Sequence, residues 1–174
     1  FKDGRDGWAE FVRLAESWRR DPFPKRVVAL SPRGSWLIKP VTATPHSYWV
    51  SINEIGKGKI GYDTIDLTGP NIARTPEDLK EQCYTLGKAQ VQGARVEALL
   101  KGNNLIEVKT ENARSLSLWL HPKMADLSRP VALIVNGARK EYTIRPSLLD
   151  ALRSYERRRD WGLVYHAELV VALP

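Results

Sequence analysis

Gly56-Lys57-Gly58-Lys59-Ile60-Gly61 spells the glycine spacing of a nucleotide-binding loop, G-x-G-x-x-G. In a dinucleotide site a helix opens at the third glycine, so that its N-terminal amides face the pyrophosphate. Here the chain continues Tyr62-Asp63-Thr64-Ile65-Asp66-Leu67-Thr68-Gly69-Pro70, which reads as a strand or loop. A kinase glycine loop would place valine where Asp63 stands, and no catalytic-loop motif follows. The stretch is therefore read as a lysine-bearing hairpin turn, and no cofactor is expected.

The other reactive side chains are scattered. His46, His121 and His166 have no second histidine or cysteine at ligand spacing, so no metal site is expected. No G-x-S-x-G nucleophile elbow occurs. Cys83 has no evident histidine partner and falls in or beside a short helix. Asp63 and Asp66 are too weak a cue for paired acid–base work. Two binding surfaces can be drawn. Trp36, Trp49 and Trp119, with Tyr48, could stack on sugar rings and make a carbohydrate- or polymer-binding module. Arg153, Arg157, Arg158 and Arg159, near Tyr155, Trp161 and Tyr165, form the densest basic cluster and could meet a nucleic acid; a solvated helix face is the plainer reading. The net charge of +7 permits such a partner without requiring one.

The elements that must position these residues are mostly strands. Ile106, Val108 and Thr110 alternate with Glu107 and Lys109. Leu116, Leu118 and Leu120 alternate with Ser115, Ser117 and Trp119, which leaves Trp119 either under a helix or exposed. Val131, Leu133 and Val135 alternate with Ala132, Ile134 and Asn136. A period of two puts one face of each run on a core. Asn136-Gly137 predicts a tight hairpin returning through residues 139–144, and Lys101–Asn104 predicts another turn. Further strands are expected at 25–31, 34–39, 47–52, 89–100 (with a possible bulge at Gly93) and 163–173.

Two longer helices flank them. Over residues 6–20, Trp8, Phe11, Val12, Ala15 and Trp18 share one side, and Pro22 and Pro24 end the helix. Such a stripe needs a large apolar partner. Over 147–158, Ser147 and Asp150 can form a capping box, with Leu148, Leu149, Leu152 and Tyr155 expected inward and Arg153, Arg157 and Arg158 outward. A short third helix is expected over 75–84, within a long excursion at 56–90. No apolar run approaches the length of a membrane span, and the single cysteine excludes an intrachain disulfide. Phe1 opens the chain and Met124 is its only methionine. A removed leader or a longer parent polypeptide is therefore expected.

Four segments occur in an order that resembles the C-terminal region of bacterial exported α/β-hydrolases of the prolyl-oligopeptidase-like or esterase-like kind. They are Arg20-Asp21-Pro22-Phe23-Pro24-Lys25-Arg26-Val27, Ser47-Tyr48-Trp49-Val50, residues 103–110, and Asp126–Val131 running on to Asn136-Gly137. In such proteins the last catalytic-domain helix leads through an Arg-x-Pro-x-Pro segment into a small β-sandwich. The resemblance covers about residues 8–55 and 89–173, and it leaves 56–90 as an insertion. It implies an end-of-domain helix and linker at 1–24, with Trp8, Phe11 and Trp18 as interdomain contacts, and a sandwich at 25–174. It also implies an exported, periplasmic or extracellular setting. The α/β-hydrolase catalytic domain would be a partner in cis or as a separate chain, and this chain would be its non-catalytic accessory domain. No catalytic residue of such an enzyme matches a position here. The expected fold is mainly β: an Ig-like β-sandwich of seven or eight strands, with an N-terminal helix and a C-terminal helix packed at its edge.

Overall fold

The computed structural model describes residues 6–17, 20–33, 46–68, 75–77 and 83–174. Its elements in chain order are α1 (Asp6–Ser17), β1 (Arg26–Arg33), β2 (His46–Ser47), β3 (Val50–Ile55), β4 (Lys59–Thr68), β5 (Cys83–Gly102), β6 (Leu105–Glu111), β7 (Ala113–Leu120), β8 (Val131–Val135), β9 (Ala138–Tyr142), α2 (Leu148–Arg158), a 3-10 turn (Trp161–Leu163) and β10 (Ala167–Ala172). The protein is mainly β, and its strands form a sandwich of two sheets.

The first sheet has six strands in the order β1-β5-β6-β8-β9, with β4 also on β5. The second has four, in the order β10-β7-β3-β2. Ten strands are thus described, more than the seven or eight expected. Neighbours are antiparallel except β6 and β8, which run parallel. The alternation read from sequence becomes the core. Val27, Ala29, Val96, Ala98, Ile106, Val108 and Leu133 from the first sheet meet Val50, Ile52, Leu116, Leu118, Leu120, Leu169 and Val171 from the second. Apolar side chains two apart on each strand face the same layer.

Backbone turns at three places use asparagine at positive φ. Asn103 and Asn104 (φ 50° and 59°) close the β5–β6 hairpin. Asn136 and Gly137 (φ 48° and 90°) close β8–β9, as two left-handed central residues must in this turn. Asn112 (φ 55°) stands alone between β6 and β7 and turns the chain from one sheet to the other.

Several boundaries differ from expectation. Residues 47–52 are not one strand: Tyr48-Trp49 is a turn, and Ser47 pairs with Val50. β1 runs on through Pro32 to Arg33 instead of turning there; proline is tolerated because, among the described residues, β1 pairs with β5 alone. β5 begins at Cys83, so Cys83 opens a strand instead of lying in or beside a helix, and residues 78–82 of the expected helix lie outside the described residues. Within 56–90, β4 pairs with β5 along its whole length, from Lys59 opposite Gln92 to Thr68 opposite Cys83. Gly93 makes no bulge; the register is regular through it. The strand expected at 34–39, with Trp36, lies outside the described residues, as does Trp18.

Candidate functional site

Where the chain leaves α1 and enters the sandwich, polar groups are used to fix an apolar linker. Asp21 starts it: its Oδ1 accepts the Phe23 amide at 2.8 Å. The carbonyls of Pro22 and Pro24 belong to no strand or helix and need other donors. The Tyr165 hydroxyl donates to Pro22 O at 2.9 Å, and the Trp49 indole Nε1 donates to Pro24 O at 2.9 Å. Both aromatic bodies are fully buried. Between these anchors Phe23 stacks on His121 at 4.5 Å and meets Tyr165 edge-on at 6.0 Å. Ahead of them, Arg20 donates to Asp160 at 2.6 Å, and with the Gly162 amide it holds the Asp160 carboxyl below the usual carboxylate range.

α1 itself leaves its aromatic stripe uncovered. Trp8 is 68% exposed, Phe11 59% and Leu14 53%, with the Trp8 and Phe11 rings 5.5 Å apart. The sequence placed Trp8 and Phe11 on one face, Leu14 was not counted on it, and no described residue buries any of the three.

α2 reverses the orientation expected for it. Ser147 caps the helix, accepting the Asp150 amide at 3.0 Å, but the expected box is not closed, because the Ser147 amide donates to His166 O at 2.8 Å. Yet Leu148, Leu149 and Leu152 are 77%, 56% and 55% exposed. The inward side carries Ser154, whose Oγ donates to Leu163 O at 3.2 Å and accepts the Tyr165 amide at 3.0 Å. A small hydroxyl lets the helix approach closely while answering two backbone groups. One turn on, Arg158 also points in rather than out. Its guanidinium lies 5.0 Å from both the Trp119 and Tyr165 ring centres, and its Nε donates to Tyr48 O at 2.8 Å. Its Nη2 is buried without a hydrogen-bond partner among the described residues. Burial lowers its pKa to about 10, so it stays charged at neutral pH. Arg153, Arg157 and Arg159 remain exposed, and Arg157 also reaches over Trp119, at 5.4 Å.

The two stacking candidates that are described are thereby accounted for structurally. Trp119 is sealed beneath α2, its Nε1 donating to Ser51 Oγ at 3.1 Å, and Trp49 holds the linker. Neither offers a ring face to a sugar. The basic cluster is split, because Arg158 is withdrawn into the protein.

The glycine motif has a role that sequence reasoning missed. It joins β3 in one sheet to β4 in the other, so it is a crossover rather than a hairpin turn. It closes around the Asn112 side chain. The Gly58 amide donates to Asn112 Oδ1 at 2.9 Å, and Asn112 Nδ2 donates to Gly58 O at 2.8 Å and to Gly93 O. A Cβ on Gly56 would collide with Asn112 Oδ1, and one on Gly58 would come within 2.9 Å of it. The missed signal was a lone asparagine between two alternating runs. Asn112→Ala should cost about 2–3 kcal/mol, because it removes three hydrogen bonds and places alanine at a positive φ. Urea denaturation would measure it, and Gly56→Ala should cost comparably through steric conflict.

His121 and His166 do come together, with ring centres 4.4 Å apart, while His46 sits on β2. His121 Nδ1 accepts the Lys123 amide at 3.1 Å. Burial foremost, then His166 and Lys123, lower the His121 pKa. Burial, Arg158 and Arg157 lower that of His46. Both imidazoles are therefore better tolerated neutral in the native state. Their contribution is complete above the unfolded pKa near 6.5 and is lost as pH falls from there toward the native value. Denaturation midpoints should fall between pH 7.5 and 5, and His121→Gln should flatten that dependence. Asp126, Asp160 and Glu97 are lowered too, but their contribution is complete above the ordinary carboxylate pKa near 4 and is lost only as pH falls from there.

Among the described residues no three His, Cys, Asp or Glu side chains converge as metal ligands, and no helix is long and apolar enough to cross a membrane. No family model matches the chain, and no curated protein or solved structure matches it either. Fold and site together define a β-sandwich entered through an anchored segment, Arg20 to Pro24, with α1 ahead of it.

Proposed function

We propose that this chain is a non-catalytic accessory domain that seats a neighbouring catalytic domain against the aromatic face of α1. One observation carries the reading. Trp8, Phe11 and Leu14 stand exposed on α1, and the segment that leads from Arg20 into the sandwich is held by Arg20–Asp160, Tyr165–Pro22 and Trp49–Pro24. Apolar side chains grouped this way on a folded protein mark a contact surface. A firmly held linker limits the freedom lost when that surface is covered. The resemblance in sequence makes the neighbour an α/β-hydrolase domain of an exported bacterial esterase or peptidase, in cis or as a separate chain. The sandwich then stabilises that domain or shapes access to its cleft.

The test joins the chain to an α/β-hydrolase domain encoded with it. Trp8→Asp with Phe11→Asp should lower the melting temperature of the joined protein by several degrees and leave that of the isolated chain unchanged. Identical melting of joined wild-type and variant proteins would overturn the reading. So would turnover of a p-nitrophenyl ester by the isolated chain.

A further inference from the structure

We propose that the outward face of α2 is a self-association surface on which a second copy of this chain packs antiparallel. The reading is independent of any catalytic neighbour. It begins from the inverted docking of the helix. Ser154 and Arg158 bind the sandwich, so Leu148, Leu149 and Leu152 project from an element that is held in place and cannot roll to bury them. Three exposed leucines within five residues are a contact surface in need of an occupant.

The charges beside them indicate which occupant fits. Arg145 lies exposed just upstream of the Ser147 cap, and Arg153 and Glu156 are exposed on the helix. When two copies of α2 cross antiparallel about a two-fold axis between Asp150 and Ala151, Leu149 of each faces Leu152 of the other. Leu148 then faces the aliphatic stem of Arg153, whose charge reaches solvent. Arg145 faces Glu156 at both ends. A two-fold contact must be self-complementary, and this one is, in both shape class and charge. The antiparallel arrangement also sets the two helix dipoles favourably. The remaining charged groups do not oppose it. Asp150 is turned toward Arg153 and the Glu168 amide of its own chain, and Arg157 lies over Trp119. An interface centred on four leucines is small, so a reversible dimer in the micromolar range follows rather than an obligate one.

Sedimentation velocity on the whole chain between about 5 and 500 µM tests this across the range in which such a dimer dissociates. Leu149→Asp with Leu152→Asp should abolish the dimer, and Trp8→Asp with Phe11→Asp should leave it intact. Glu156→Arg, which sets arginine against Arg145 twice, should weaken association about tenfold. Adding Arg145→Glu should restore most of it. The charge variants alter only exposed side chains, and an unchanged melting curve would verify their fold. A monomer at every concentration overturns the proposal. A dimer lost through the α1 variant instead overturns it as well, as does a charge swap that recovers nothing.

Discussion

Trp49→Ala should destabilise the chain by about 3–5 kcal/mol, the range for removing a fully buried large aromatic side chain, and should free the linker at Asp21–Pro24. Trp49 is completely buried. Its indole N–H is the donor that satisfies Pro24 O, and its own carbonyl accepts the Trp119 amide at 2.8 Å. The substitution therefore opens a cavity between β3 and the linker and strands a proline carbonyl that has no strand or helix to fall back on. Trp49→Phe separates the two effects. It keeps most of the volume and loses the hydrogen bond, so about 1–2 kcal/mol is expected, the cost of an unanswered polar group. Urea denaturation gives both values. Limited proteolysis gives the local consequence: cleavage within residues 20–25 should accelerate in both variants well before global unfolding. Unchanged cleavage would mean that Arg20, Asp21, Phe23 and Tyr165 hold the linker without Trp49.

Arg158→Ala has the next largest expected effect, about 2–4 kcal/mol, from two ring contacts and one charge-assisted hydrogen bond. The guanidinium lies between Trp119 and Tyr165 and donates to Tyr48 O. Its burial acts against it, since one nitrogen is left without a partner. The wild-type residue is thus a compromise: good stacking offsets poor solvation of a charge. Arg158→Met refills the space without the charge and should fall between wild type and alanine. If methionine instead proved more stable than arginine, the buried charge would be a net cost, as some buried ion pairs are. Near-ultraviolet circular dichroism should report the change in the environment of Trp119 and Tyr165 in either case.

The same residues explain why the surface of this protein was hard to read. Leu148, Leu149, Leu152 and Tyr155 form an apolar stripe at helical spacing, and such a stripe ordinarily faces the core. Here a serine and an arginine face it instead. Periodicity reports that a helix has two unlike faces, but it cannot report which one a neighbouring sheet will accept. That depended on Tyr165 and Leu163 offering backbone groups to Ser154, and on two rings spaced to receive a guanidinium. The glycine motif is a parallel case. Its spacing was legible, yet its purpose required Asn112, more than fifty residues away in the chain, to be inside the loop. Trp49 and Trp119 were legible as large aromatics. Their burial was not, because it rests on a two-residue turn and an overlying helix.

Local rules sufficed wherever a residue's neighbours in sequence were also its partners in space. Alternation at 106–110, 116–120 and 131–135 placed Ile106, Val108, Leu116, Leu118, Leu120, Val131 and Leu133 on the core side. Asn103-Asn104 and Asn136-Gly137 fixed two hairpins, because left-handed backbone is cheap for those residues. Ser147 fixed a helix start. These features determined a mainly-β chain with flanking helices. Only the folded chain decided that α2 lies leucines-outward, that Arg158 is enclosed, and that the β3–β4 crossover grips Asn112. Each of these is a contact with another element of the fold, and its energy depends on shapes and donors that no single segment carries.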